Sequence, residues 1–395
     1  MAEWEKTTLE KCTDILGDGL HGTPKYTDGG EYAFINGNNL VNGEILIKKD
    51  TKMVDYSQYE KYKKPLTNRT LLVSINGTLG NVGMYNSEKI ILGKSACYFN
   101  VKEFVDKDFI YYVVSSPMFR QYLEHSATGT TIKNISLKQM REYEFLLPPI
   151  EKQKQISSVL KMIDEKIKNN RRVNENLLQQ AQTLFYAWFV DYKPFGGVQP
   201  SDWKSISVYD LAEYINGAAF KKHEYADTGL PIIKIAELKN GITESTQHCC
   251  VEKDPKYYIK NRDILFSWSG NPETSIDTFI WSMGDAILNQ HTFRVVSKYE
   301  APAFTFFLLK YLKPQFTHIA SNKQTTGLGH VTVTDLKRLQ LCTNRRGIKD
   351  FNDLTMPIFE MIYSNCKESQ GLSTLRDSLL PKLMSGELDV SALGL

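Results

Sequence analysis

The sequence predicts a duplicated α+β protein: two similar heads, each followed by a long helix, with the two helices pairing as an antiparallel coiled coil. Three observations carry this. Between Pro149 and Pro194 there is neither Gly nor Pro, so nothing local breaks a helix over residues 148–192. Within that stretch Ile156, Leu160, Ile163, Ile167, Leu177, Ala181, Leu184 and Trp188 recur at alternating steps of four and three, with Asn170 and Asn174 in the middle of the seam. Such a heptad pattern marks a helix packed along its length against another. The third observation is that the chain starts again after residue 203.

In order, the first head covers residues 1–147. It opens with the turn-rich GDGLHGTPKYTDGG, then a short apolar run at 32–35 and the polar loop NGNNL. A Lys- and Tyr-rich segment (48–64), a strand-like run (70–75), the Gly-punctuated turn NGTLGNVG and a second strand-like run (90–101) follow. A single apolar helix over 109–123 leads into the polar loop ATGTTIKN. Short mixed elements of this kind suggest an α+β domain with loops gathered on one face. The central helix (148–192) would be roughly 60 Å long at about 1.5 Å per residue. KPFGGVQPSDW (193–203) reads as a linker. The second head (204–346) repeats the first: NRTLLVSING at 68–77 aligns with NRDILFSWSG at 261–270, and Thr130, Thr131 and Ile132 correspond to Thr325, Thr326 and Gly327 within a residue or two. The C-terminal helix (347–388) continues the correspondence, placing Ile358, Ile362, Asn365, Leu372 and Leu379 opposite the seam of the first. Pro357 near its start is tolerable in a first turn, or would kink the helix if the element begins earlier, and Gly371 and Pro381 make it the weaker helix. Asn170 and Asn174 are expected to meet Asn365 and fix the register of the pair.

Composition bounds the function. At 395 residues with 42% hydrophobic and 11% aromatic content, the chain supports two or three cored units. A net charge of +3 allows nucleic acid as a partner but is low for a protein that grips DNA alone. The six cysteines are scattered, and His248 beside Cys249 and Cys250 has no second ligand pair at finger spacing, so no metal site is expected. No apolar run approaches 18 residues and the N-terminus lacks an apolar signal core, which predicts a cytoplasmic protein with no membrane contact.

Two similar heads at the ends of a rigid helical spacer suit a split sequence on a regular polymer, with double-stranded DNA the obvious candidate. The head loops carry side chains that contact phosphates and base edges. In the first head these are His21, Thr23, Lys25, Tyr26, Asn36, Asn38, Asn39, Asn76, Thr78, Asn81, Thr130, Thr131 and Lys133. In the second they are Lys221, Lys222, Lys234, Ser269, Asn271, Gln290, His291, Lys323, Gln324, Thr325 and Thr326.

The chain resembles the specificity (S) subunit of type I restriction–modification systems. The resemblance is carried by LLPPIEKQ (146–153) entering the long helix, LFYAWFVD (184–191) ending it, and LLPKLMSGEL (379–388) at the C-terminus. DGLHGTPKY (18–26) and the two NR-x-x-L-x-S-x-x-G segments are similar to that family's target recognition domains. The second helix departs from the pattern, with GIKDFNDLTMPIF (347–359) in place of a Pro-Pro-x-Glu-Gln entry. The resemblance implies that each recognition domain reads one half of a bipartite DNA site and that the helices set the gap. It further implies two modification subunits docked around the helices, acting as an adenine methyltransferase with S-adenosylmethionine, and restriction subunits driven by ATP and Mg as optional partners. No cofactor is expected in this chain.

A specificity subunit should lack catalytic machinery. Gly93-Lys94-Ser95 ends like a Walker A loop, but Glu88 stands where the first Gly should be. Asn271-Pro272 stops short of a methyltransferase Asn-Pro-Pro-aromatic motif and reads as a turn. Asp164-Glu165-Lys166 lies inside the helix and reads as a solvated face rather than a nuclease set. Two alternatives remain at this level: a DNA methyltransferase or nuclease in its own right, and a coiled-coil scaffold whose two heads bind proteins.

Overall fold

The computed structural model describes residues 4–129, 132–324 and 327–390. The chain divides into two units, residues 1–165 with 374–395 and residues 166–373. Two unbroken helices, Ile150–Phe189 and Arg345–Ser385, contribute to both. No helix among the described residues is long and apolar enough to cross a membrane.

In the first unit the main sheet is antiparallel, in the order Thr13–Asp18, Ala96–Val101, Thr70–Ser74 and Val82–Met84. TLLVS at Thr70–Ser74 is buried at every position because the strand is central and covered on both faces. A smaller sheet sets Tyr32–Ile35 between Met53–Val54 and a parallel strand, Ile90–Leu92. The run expected as one strand over 90–101 is therefore two, separated by the turn at 93–95. The helix expected over 109–123 is also two, Lys107–Ser115 and Pro117–Ser126. Pro117 forces Ser116 into an extended conformation (φ −69°, ψ 152°), and the Ser116 hydroxyl then caps the second helix by accepting from Phe119 N at 3.2 Å. Phe99, Phe109 and Phe119 are fully buried beside Ile156 and Leu160 of the first long helix and Leu380, Leu383 and Met384 of the second. Burying each phenylalanine contributes about 1.5–3 kcal/mol over leaving it exposed. Leu379 packs on the same core.

The second unit repeats the four-stranded sheet and the parallel pair, but its smaller sheet has five strands where the first unit's has three. Its main sheet runs Ala212–Asn216, Thr292–Ser297, Ile264–Ser267 and Asp277–Ile280. Leu230–Ile233 is again parallel to Ala286–Leu288, and two helices, Pro302–Tyr311 and Lys313–Asn322, again cover the sheet. Its core takes Ala181, Phe185 and Phe189 from the first long helix and Phe351, Phe359 and Ile362 from the second, with Leu177, Leu184, Trp188 and Ile358 packed against it. The segment read as a linker ends in Trp203, which is buried against Phe189 with ring centroids 5.5 Å apart.

The helix bounds differ from expectation. The first helix starts after both prolines, and the second starts at Arg345, so of the two readings of Pro357 the earlier start holds and the proline stands inside the helix. Pro357 is exposed; it lacks the N–H that would bond the carbonyl four residues back, and its ring crowds that same carbonyl.

Within each unit the two helices run antiparallel. In the second unit Asn170, only 2% exposed, donates to Glu368 Oε2 at 2.7 Å and Ser369 Oγ at 3.2 Å. One turn on, Asn365 Nδ2 donates to Asn174 Oδ1 at 2.8 Å. Asn174 thus meets Asn365 as the seam suggested, whereas Asn170 finds Glu368 and Ser369 instead. Between residues 166 and 180 Asn170 is the one buried residue, and Ile167 and Leu372 are half-buried. In the first unit Ile163 is half-buried, and Asp164 accepts from Arg376 Nη1 and from Tyr112 Oη, both at 2.8 Å. Asp164 is therefore a cross-helix partner, not part of a solvated face. Burial and the Asp164 carboxylate together hold the Tyr112 hydroxyl well above the usual tyrosine range.

Candidate nucleic-acid interface

The sheet register explains why the polar loops of the first unit meet. Cys97 pairs with Asp18 and Ala96 with Ser74, so the strand ends at 18, 74 and 96 lie side by side and their loops leave one end of the sheet. Hydrogen bonds then join five loops into one rim. Leu20 N donates to Leu92 O at 2.7 Å, and Ser95 Oγ donates to Asn36 Oδ1 at 3.0 Å while accepting from Gly37 N. Asn81 Nδ2 donates to Gly37 O at 3.2 Å, Asn76 Nδ2 to Asn134 Oδ1 at 3.1 Å, and Gly77 N to Lys133 O at 3.0 Å. The approach is close enough that a Cβ at Gly93 would overlap Asn36 Oδ1, so only glycine fits there.

The candidates in this rim separate into two groups. Asn36, Asn39, Asn76 and Asn81 hold the loops together. Asn39 is 5% exposed and bonds the Leu46 carbonyl at 2.9 Å, so it builds the loop rather than reading a ligand. Thr23, Lys25, Asn38, Thr78 and Lys133 are exposed, as are His21, bonded to Asp18 at 2.5 Å, and Tyr26, 40% exposed against Phe34. Lys94, missing from the sequence-based set, sits exposed on the 93–95 turn between these loops, and Lys48 reaches back to bond Asn38 O at 3.0 Å. Among the described residues Lys25, Lys94 and Lys133 make no ion pair. Both missed lysines carried a signal: Lys48 opens the Lys-rich segment, and Lys94 belongs to the broken Walker-like turn. Thr130 and Thr131 lie outside the described residues, as do Thr325 and Thr326 of the second unit.

The second unit builds its rim by the same bonds. Ala218 N donates to Leu288 O at 2.7 Å, Trp268 N to His291 O at 3.4 Å, and Val331 N to Trp268 O at 2.8 Å. Ser269 pairs with His330 as Asn76 pairs with Asn134. That pairing fixes the loop alignment, which the sequence places within a residue or two, and sets Ile132 opposite Leu328. Lys221, Lys222, Gln290 and His291 are exposed on the rim, and Ser269 is half-buried in it. Four other candidates are already engaged. Asn271 caps the one-turn helix Pro272–Ser275, accepting from Glu273 N and Thr274 N at 3.1 Å, where a plain turn was expected. The Lys234 amine bonds Gln247 and lies over the Tyr225 ring. Lys323 pairs with Asp335: burial raises that carboxyl, but bonds from Lys323 and Thr332 outweigh it and hold Asp335 below the usual carboxylate range. Gln324 folds onto its own loop, bonding Gly327 O at 2.8 Å. Trp268 and His330 were missed. Their ring and imidazole occupy places that the first head fills with Ile75 and Asn134, so residue type gave no cue.

Each rim thus presents amide, imidazole and ammonium groups from a hydrogen-bonded frame, a chemistry suited to phosphates and base edges. Among the described residues no group of His, Cys, Asp and Glu is placed to hold a metal ion.

The model of the type I restriction modification DNA specificity domain matches residues 1–179 and 200–342, and the chain belongs to that family. The MjaIX specificity subunit of a type I restriction enzyme from Methanocaldococcus jannaschii is 24% identical over alignments covering 99% of this chain and 95% of the relative. The HindI specificity subunit from Haemophilus influenzae is 21% identical, covering 71% and 77%. The crystal structure of the type I restriction-modification S subunit from M. genitalium shares the fold, with a TM-score of 0.52, 19% identity and coverage of 97% and 96%. The duplicated heads and paired helices are those of a type I specificity subunit.

Proposed function

We propose that each unit reads one half of a bipartite, gapped site in double-stranded DNA, and that the chain brings methyltransferase and restriction subunits to that site. The observation that carries this reading is the duplicated rim: five loops tied by backbone and amide bonds in the first unit and their counterparts tied by backbone bonds in the second, with Lys25, Lys94 and Lys133 in one and Lys221 and Lys222 in the other left exposed for phosphates. The rims share a frame but differ in their outward groups, so the two half-sites differ in sequence. S-adenosylmethionine and ATP with Mg belong, in this reading, to the partner subunits, and adenine methylation and DNA cleavage are their reactions. The mild net charge of +3 fits a subunit that shares its grip on DNA.

The test is selection of duplexes from a random pool by the chain in complex with its modification subunits. Two short fixed blocks separated by a constant unspecified gap are expected. A single contiguous block, or no enrichment, contradicts the proposal, and the latter outcome favours a protein-binding scaffold.

A further inference from the structure

Each rim carries, at one equivalent position, an exposed bulky aliphatic side chain that its polar chemistry does not explain. Ile132 is 60% exposed in the first unit and Leu328 is 59% exposed in the second. Backbone pairing makes the positions equivalent, since each stands two residues before the partner of the facing turn, Asn134 to Asn76 and His330 to Ser269. The adjoining backbone is held firmly: Ile135 N donates to Ile75 O at 2.9 Å, and Val331 N to Trp268 O at 2.8 Å. Neither side chain joins a hydrophobic cluster of its unit, so neither is there for the core.

A single exposed aliphatic residue is ordinary on any surface. Recurrence at one position in both heads is a different matter, because the neighbouring polar groups have not been kept: Asn76 faces Ser269 in the comparison, and Asn134 faces His330. Outside the shared frame, heads that read different bases retain in common on their outward face what serves both half-sites, and what two half-sites of different sequence share is stacked duplex. A thymine methyl is met by small side chains such as Ala or the Thr methyl, whereas Leu and Ile belong to the set that enters base steps and unstacks them.

We propose that Ile132 and Leu328 are wedges, each entering one base step of its own half-site and opening it. The inference rests on the reading that the rims face DNA. An opened step bends the duplex, which brings more phosphates against the rim lysines.

The test uses the chain in its complex with modification subunits, bound to the duplex it selects, with 2-aminopurine placed in turn at each adenine position of the half-sites and their flanks. Wild-type complex is expected to raise the fluorescence at a position in each half-site. Ile132→Ala should abolish the rise in the first half-site alone and Leu328→Ala the rise in the second alone, while Ile132→Leu retains it. Rises that persist in both alanine variants overturn the proposal, because they then belong to partner chemistry on the bases. A complex that selects and binds its site without any unstacked step overturns the wedges but leaves the specificity reading intact. A complex that selects no sequence removes that reading itself.

Discussion

At the scale of single residues, the rim separates side chains that build the loops from side chains that face outward. Asn39 and Asn81 have the composition of DNA contacts, yet their amides are bonded to carbonyls of their own unit. Lys94 has the opposite standing: it is exposed, makes no ion pair among the described residues, and sits on a turn bonded to Asn36 and Gly37. On the proposed reading, a lysine in that position meets phosphate rather than a base edge. Lys94→Ala should therefore weaken binding of the complex about equally on cognate and unrelated duplexes and reduce the slope of log K against log salt by roughly one. Filter-binding titrations across salt concentrations check this. Loss of discrimination between sequences, with an unchanged slope, would place Lys94 on a base instead. Side-chain type in the sequence revealed which residues could touch DNA, but not which amides had already been claimed by neighbouring loops. That depends on contacts between segments far apart in the chain, such as Ser95 with Asn36.

At the scale of elements, periodicity was the dependable guide. The seam at Ile156, Leu160, Leu177 and Leu184 located the first long helix, and the duplicated NR-x-x-L-x-S-x-x-G segments fall on matching central strands, Thr70–Ser74 and Ile264–Ser267. Boundaries were harder where one local signal opposed another. An apolar run hid the break at Ser116, and Pro357 left the start of the second helix open, whereas packing of Phe351 and Phe359 carries that helix through it. The seam also proved less uniformly apolar than its spacing suggests, since the heads absorb its ends and amides fill the stretch around Asn170. The Asn174–Asn365 bond is an element-level device whose energetics can be measured. Asn174→Leu alone should destabilise the chain by about 1 kcal/mol by stranding the Asn365 amide, and Asn365→Leu likewise, while the double variant recovers most of that loss. Denaturant unfolding in a double-mutant cycle measures the coupling; strictly additive losses would show that the two amides act independently.

At the scale of the whole molecule, duplication is the fact that organises function. Each unit has its own core, its own rim, and its own share of both long helices, so one head can change its outward residues without disturbing the other's frame. The half-sites should then be separable. The decisive measurement exchanges residues 1–147 for the corresponding head of another family member and selects bound duplexes with the resulting complex. One fixed block should change to a new sequence while the other block and the gap stay as they were. A change in both blocks, or in the gap alone, would contradict independent reading by the two heads.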